Sequence, residues 1–207
     1  MFAAFALVAS THFAALLSPG PDFFLLIRAA LVRGRRHADG CASGIAVANL
    51  ASMGLVLFIL GLLPDMARQG LRLVQLLGGA YFVWLGVQAV LARRELEIPV
   101  ESGTLARGGF FQGLREGFLA SSLNPKLPIF YSGLFGLLGP FHLPGWALAL
   151  CVLWMGAVVL FWDLALVRLL DQQRWRGWLQ RRVRALDRLC GGLLLGLGGW
   201  LLLLGLR

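Results

Sequence analysis

Two short segments hold residues that an apolar run normally excludes. Ser18, Pro19, Gly20, Pro21 and Asp22 interrupt LLSPGPDFFLLIR, and Asn124, Pro125 and Lys126 interrupt SSLNPKLPIF. Asn124-Pro125 is a helix-start signal, because Asn caps and Pro suits the first helical position, where no N–H is required. A helix that starts inside a membrane leaves free N–H groups and the positive end of its dipole, which call for an anion or water. Lys126 adds a full positive charge there, so the segment predicts a seat for a carboxylate. In the first segment, Ser18 or Gly20 is a candidate cap for a second half-helix, with Pro21 in its first turn. Asp22 beside that start is suited to attract an ammonium group or to carry a proton. An aspartate at mid-membrane costs about 2.5–3.5 kcal/mol on insertion scales, which marks it as functional unless it reaches water. A carboxylate seat facing a carboxylate suits a zwitterion, and the simplest zwitterion is an amino acid. The bland alternatives are a proline kink with Asp22 turned to the cytosol, six residues before Arg28, and a Lys126 that snorkels to an interface.

Lys126 is the only lysine among 19 basic residues. A compact ammonium changes its charge state on burial more readily than a guanidinium, which gives a reason for a lone lysine in an arginine-biased chain. Further candidates for lining the site or relaying protons are His12, Asn49, Ser121, Ser122 and Asp163. For His12 the default is a buried, hydrogen-bonded ring, and for Asn49 helix–helix hydrogen bonding. Ser121 and Ser122 precede Asn124 and face the same break in sequence order. Asp163, five residues before Arg168, reads first as a charge at the cytoplasmic end of its span and second as a proton carrier.

The elements that position these residues are apolar runs. Of the 207 residues, 58% are hydrophobic and 14% charged, and mean hydropathy is +0.77; the solvent for most of the chain is lipid. Met1 to Ile27, Gly40 to Pro64, Leu73 to Ala92, two runs within Gly117 to Val167 divided at GPFHLPG, and Leu189 to Leu206 predict six spans. The first span lacks a basic n-region and reads as retained, not as a signal peptide. Arginines concentrate in the first loop (Arg28, Arg33, Arg35, Arg36), the third (Arg93, Arg94, Arg107, Arg115) and the fifth (Arg168 to Arg188). The positive-inside rule then places loops 1, 3 and 5 in the cytoplasm and both termini on the opposite side. The fifth loop, with Trp175 and Trp178 among arginines, is either an interfacial helix or a basic loop with Trp anchors. The net charge of +9 belongs to these loops, so no nucleic-acid partner is expected. Cys41, Cys151 and Cys190 show no metal-ligand spacing and read as small buried residues.

Six spans divide into three plus three, which sets the halves in opposite orientations. The double-proline breaks fall in the first span of each half. LLGG with Gly86 in span three parallels LCGG with Gly198 and Gly199 in span six. The fold class expected is therefore an all-α integral membrane protein, a single domain of residues 1–207. It comprises two inverted three-helix repeats, about 1–95 and 108–207, with helices 1 and 4 broken.

SPGPDFF, the loop VRGRRHADG, LGGAYFVWLG and LNPK, in these positions of a chain of this length, resemble the LysE/RhtB family of bacterial amino-acid exporters over essentially the whole sequence. HFAALLSPGPDFF and GGAYFVWLG are most similar to the threonine/homoserine efflux branch. The resemblance implies a bacterial inner-membrane exporter, not an enzyme, with the proton gradient as energy source and no cofactor or metal. Its partners would be an amino-acid substrate and the lipid bilayer, with self-association left open. It also implies a transport role for Pro19, Gly20, Pro21, Asp22, Asn124, Pro125 and Lys126. One departure is Leu127-Pro128 after NPK, where a small residue and an apolar run are expected; it predicts a second break in the local backbone. The alternative from another class is a non-transporting scaffold or accessory subunit, which predicts intact helices.

Overall fold

The computed structural model describes residues 2–18, 20–61, 67–91, 108–124, 126–170 and 172–206. Most of these residues are helical, with no strand among them. The helices are α1 (Phe2–Leu17), α2 (Pro21–Arg28), α3 (Arg35–Gly61), α4 (Ala67–Leu91), α5 (Phe110–Ser122), α6 (Lys126–Leu138), α7 (Gly145–Leu170) and α8 (Gln173–Leu206). A π-helical turn, Ala29–Arg33, extends α2, and a 3₁₀ turn, Gly139–Phe141, ends α6.

Two helices are long and apolar enough to cross a membrane, α3 and α7. The first segment qualifies as a bent pair: Phe2–Leu17 and Pro21–Arg33 meet at 53°. Shorter apolar helical stretches run over Leu76–Leu91, Lys126–Leu138 and Gly191–Leu206. Both breaks expected from the prolines are present. The first separates α1 from α2, and the second divides the fourth segment into two helices of 13 residues. The GPFHLPG division is also present. His142 there takes a left-handed conformation, φ 45°, which reverses the chain between α6 and α7.

Three expectations change. Pro128 does not break the chain a second time, since α6 runs unbroken from Lys126 to Leu138. Pro128 is its third residue, within the first turn, where a backbone N–H has no intrahelical partner to lose. The basic stretch after α7 is neither a loop nor a separate interfacial helix, because α8 continues from Gln173 to Leu206 without interruption. The first loop is almost absent. Gly34, at φ 88°, is the single hinge between the π-helical turn and α3, and only glycine enters that region cheaply. Arg93, Arg94 and Arg107 of the third loop lie outside the described residues.

Glycines set the closest helix contacts. A Cβ on Gly40 or Gly44 of α3 would collide with the backbone carbonyls of Phe110 and Leu114. One on Gly113 or Gly117 of α5 would collide with those of His37 and Cys41. The two helices therefore run parallel with their backbones in contact, the arrangement small residues permit in membranes. On the antiparallel pair α4 and α8, a Cβ on Gly79 would lie 3.0 Å from the Gly198 carbonyl oxygen, and one on Gly86 2.7 Å from that of Gly191. Gly44→Leu should thus prevent accumulation of folded protein, since backbone cannot yield and even ordinary overpacking costs about 1–3 kcal/mol. Gly54→Leu, with open space within 4 Å, should be tolerated. Comparing the monodisperse detergent-extracted fraction of the two variants checks this.

The ends of the three basic segments meet. Arg168 at the end of α7 forms a two-pronged ion pair with Asp39 near the start of α3. The Gly108 amide donates to the Arg33 carbonyl oxygen at 3.1 Å. His37 and Glu116 approach to 2.7 Å. Segments one, three and five thus share one end of the bundle.

Candidate functional site

The two breaks come together in one cavity of about 70 Å³, on a measure by which a single water needs roughly 10–15 Å³. Ser18, Gly20, Pro21 and Asp22 form one wall, and Asn124 and Lys126 the other. The remaining lining comes from α1, α2, α3, α6 and α7, including His12, Asn49, Tyr131 and Asp163. Pro19 and Pro125 lie outside the described residues.

Each wall is built as its sequence suggests. Asn124 caps α6: its side-chain oxygen accepts the Lys126 amide at 3.0 Å, and its carbonyl oxygen accepts the Leu127 amide at 3.2 Å. Across the cavity Gly20, not Ser18, caps α2. Its extended conformation (φ −124°, ψ −173°) is followed by Pro21 at the helix start, without a side-chain cap bond. Gly20 faces the lysine directly, since a Cβ there would lie 3.3 Å from Lys126 Nζ. Asp22 accepts a hydrogen bond from the Ser121 hydroxyl through Oδ2 at 3.0 Å. Lys126 and Asn124 stand beside the same carboxylate. Its other oxygen, Oδ1, is buried with no hydrogen-bond partner. Asp22 therefore lines the cavity, and its polar neighbours come from the far half of the chain.

The secondary candidates divide. Ser121 is fully buried and serves Asp22, whereas Ser122 is exposed and does not line the cavity. They are adjacent on a helix, so they point about 100° apart and only one can face the break. Asn49 donates to the Ile45 carbonyl oxygen at 2.8 Å and accepts from the Tyr131 hydroxyl at 2.6 Å. It is thus both a structural link and a lining residue. His12 is 2% exposed, with its ring near Tyr131 and Trp154. The Met155 backbone is close to it, yet neither ring nitrogen completes a hydrogen bond. Asp163 is not a charge at a helix end. It is 6% exposed, lines the cavity, and has Oδ2 buried without a partner.

Tyr131 was hidden from sequence reasoning in the apolar stretch PIFYSGLF. A phenol five residues beyond Lys126 in the same helix is the signal that could have found it. Tyr131→Phe should lower the melting temperature in detergent, because the buried Asn49 oxygen would lose its donor at a cost of about 1–3 kcal/mol. An unchanged melting temperature would deny that bond a structural role.

Outside the cavity, Cys41 is buried as expected but has polar company. His37 precedes it by one turn of α3, and potential ligand atoms of His37, Cys41 and Glu116 lie within 4.8 Å of one another. Glu116 already engages His37.

Two interrupted apolar helices thus meet at a cavity lined by both charged and apolar side chains. The family model for LysE type translocators matches residues 13–205. This chain belongs to that family. It is 28% identical over 204 residues to the threonine efflux protein of Escherichia coli strain K12, covering 96% of this chain and 97% of that one. The threonine efflux protein of Salmonella typhi is 27% identical over 201 residues, with the same coverage. A homoserine/homoserine lactone efflux protein of Salmonella typhi is 26% identical over 119 residues, 58% of this chain and 56% of that one. No solved structure matches.

Proposed function

We propose that this protein exports a neutral amino acid, threonine- or homoserine-like, across the bacterial inner membrane by proton antiport. One observation carries the reading: both helix breaks open onto a single cavity that holds an anion seat and a carboxylate. The amino acid's carboxylate is placed at the start of α6, beside Lys126, and its ammonium against the free Oδ1 of Asp22. Family membership and the efflux proteins among the relatives support the direction of transport and the substrate class. A scaffold or accessory subunit would have no use for unpartnered buried polar atoms in a cavity.

The six apolar segments are read as two inverted repeats. The glycine contacts of α4 and α8 support this. A shift of 112 residues carries Gly79 onto Gly191 and Gly86 onto Gly198, so the Gly79–Gly198 contact maps onto the Gly191–Gly86 contact. A two-fold axis between antiparallel helices produces that pattern. The shared end of the arginine-rich segments is read as cytoplasmic, with both termini periplasmic.

The test is efflux from cells loaded with a threonine- or homoserine-containing dipeptide, with and without expression. Faster appearance of the free amino acid outside the expressing cells is expected. Equal rates for threonine, homoserine and other neutral amino acids would refute the reading.

A further inference from the structure

The cavity holds two carboxylates, and the protein furnishes them differently. Asp22 has the Ser121 hydroxyl at 3.0 Å, and Asn124 and Lys126 stand beside it. Asp163 is more deeply buried, at 6% exposure. It forms no ion pair among the described residues, and its Oδ2 has no donor. The titratable groups sharing its cavity are His12 from α1, Asp22 from α2, and Lys126 and Tyr131 from α6. The polar lining residue from α3 is the neutral Asn49, which already holds the Tyr131 hydroxyl. Arg168, five residues further along α7, is engaged by Asp39. One oxygen of Asp22 thus has a donor, with Lys126 beside the carboxylate, and its Oδ1 is open, whereas Asp163 has no ion pair among the described residues and is left to be neutralised by something that comes and goes.

We propose that Asp163 is the coupling-proton site and that its proton and the ammonium on Asp22 exclude one another. The inference rests on the reading of this protein as a proton-coupled amino-acid exporter. With a proton on Asp163, an arriving ammonium meets one ionised carboxylate, already offset by Lys126. With Asp163 ionised, it meets two. Binding of the ammonium therefore favours transfer of the Asp163 proton to cavity water as hydronium. Loss of the ammonium favours its return from water. The coupling is reciprocal by necessity: whatever factor the ammonium applies to proton affinity, the proton applies to ammonium affinity. His12 is not the proton site, because neither of its ring nitrogens has a hydrogen-bond partner among the described residues to hold the N–H groups of a buried imidazolium.

The experiment is threonine binding to the purified full-length protein as a function of pH, below the titration of threonine's own ammonium. Wild-type affinity is expected to rise by up to about tenfold per pH unit through one titration, the limit for a single linked proton. Asp163→Asn should bind at every pH with the affinity of the wild type's acidic form. Asp163→Glu should keep the pH dependence with a displaced midpoint. An Asp163→Asn variant that retains the wild-type slope would overturn the assignment. If that variant does not bind at all, a flat profile or an unmoved midpoint in Asp163→Glu overturns it instead. A wild type that binds threonine without pH dependence would refute the proton site and leave amino-acid export standing. A wild type that neither binds nor exports threonine, homoserine or another neutral amino acid would refute the parent reading.

Discussion

Lys126→Ala will reduce export of a loaded neutral amino acid to the level of cells without the protein, while the variant reaches the membrane in normal amount. Lys126 begins α6, where its own amide is held by Asn124, so removing the side chain leaves the helix start intact. What goes is the only formal positive charge on the cavity wall formed by the breaks. Truncating one partner of a buried, hydrogen-bonded charge pair costs about 2–5 kcal/mol, at least roughly thirtyfold in affinity. The substrate carboxylate would then rest on α6 amides alone, and Asp22 would repel it. Lys126→Arg should fail nearly as badly. Gly20 packs against Nζ with 3.3 Å to a hypothetical Cβ, which leaves little room for a planar guanidinium fork. Full efflux in Lys126→Ala, measured with membrane abundance by immunoblot, would remove the carboxylate seat from the account.

Asp22→Asn carries the second large effect. The amide can still accept the Ser121 hydroxyl at Oδ1, so the local fold should survive. It cannot offer a negative charge to an ammonium, and its NH₂ group would point a donor at a donor. Export should again fall to background, with unaltered extraction and melting in detergent. Asp22→Glu should recover a small part of the rate, because it keeps the charge and misplaces it by one methylene. A variant that exports normally as Asn would mean that the carboxylate faces neither substrate nor coupling ion.

The two readouts separate site chemistry from assembly because the cavity and the glycine seams are different parts of the molecule. Gly44 and Gly113 sit where α3 and α5 touch through backbone, and enlarging them should cost folded protein. Lys126 and Asp22 sit where backbone ends and open space begins, and altering them should cost transport alone.

Much of this cavity was legible in the chain because the signals were local. Prolines at positions 19, 21, 125 and 128 punctuate otherwise unbroken apolar runs, and helix-start chemistry names Asn124 as a cap without any knowledge of the fold. Punctuation alone could not tell an internal proline from an N-terminal one. For that reason Pro128 reads as a second break in the sequence and is a harmless first-turn residue in the structure. The basic stretch after Arg168 failed for the opposite reason. It contains no proline and one glycine, Gly177, and charge composition says nothing about whether a helix continues. Asp163 lies deeper than its linear distance to Arg168 suggests. Five residues of α-helix span about 7.5 Å, enough to move a carboxylate from a helix end into the cavity. The bonding partners of Tyr131 and Ser121 are not readable from sequence, since they lie across gaps of 82 and 99 residues.

The central claim is that the broken helices form a seat for both ends of a zwitterion. Competition binding to the purified protein tests it most directly, with threonine set against its methyl ester, which lacks the carboxylate, and the corresponding 2-hydroxy acid, which lacks the ammonium. Threonine is expected to bind, and each analogue to bind at least about thirtyfold more weakly, the low end of the loss for one buried charge partner. Analogues that compete as well as threonine would contradict the account.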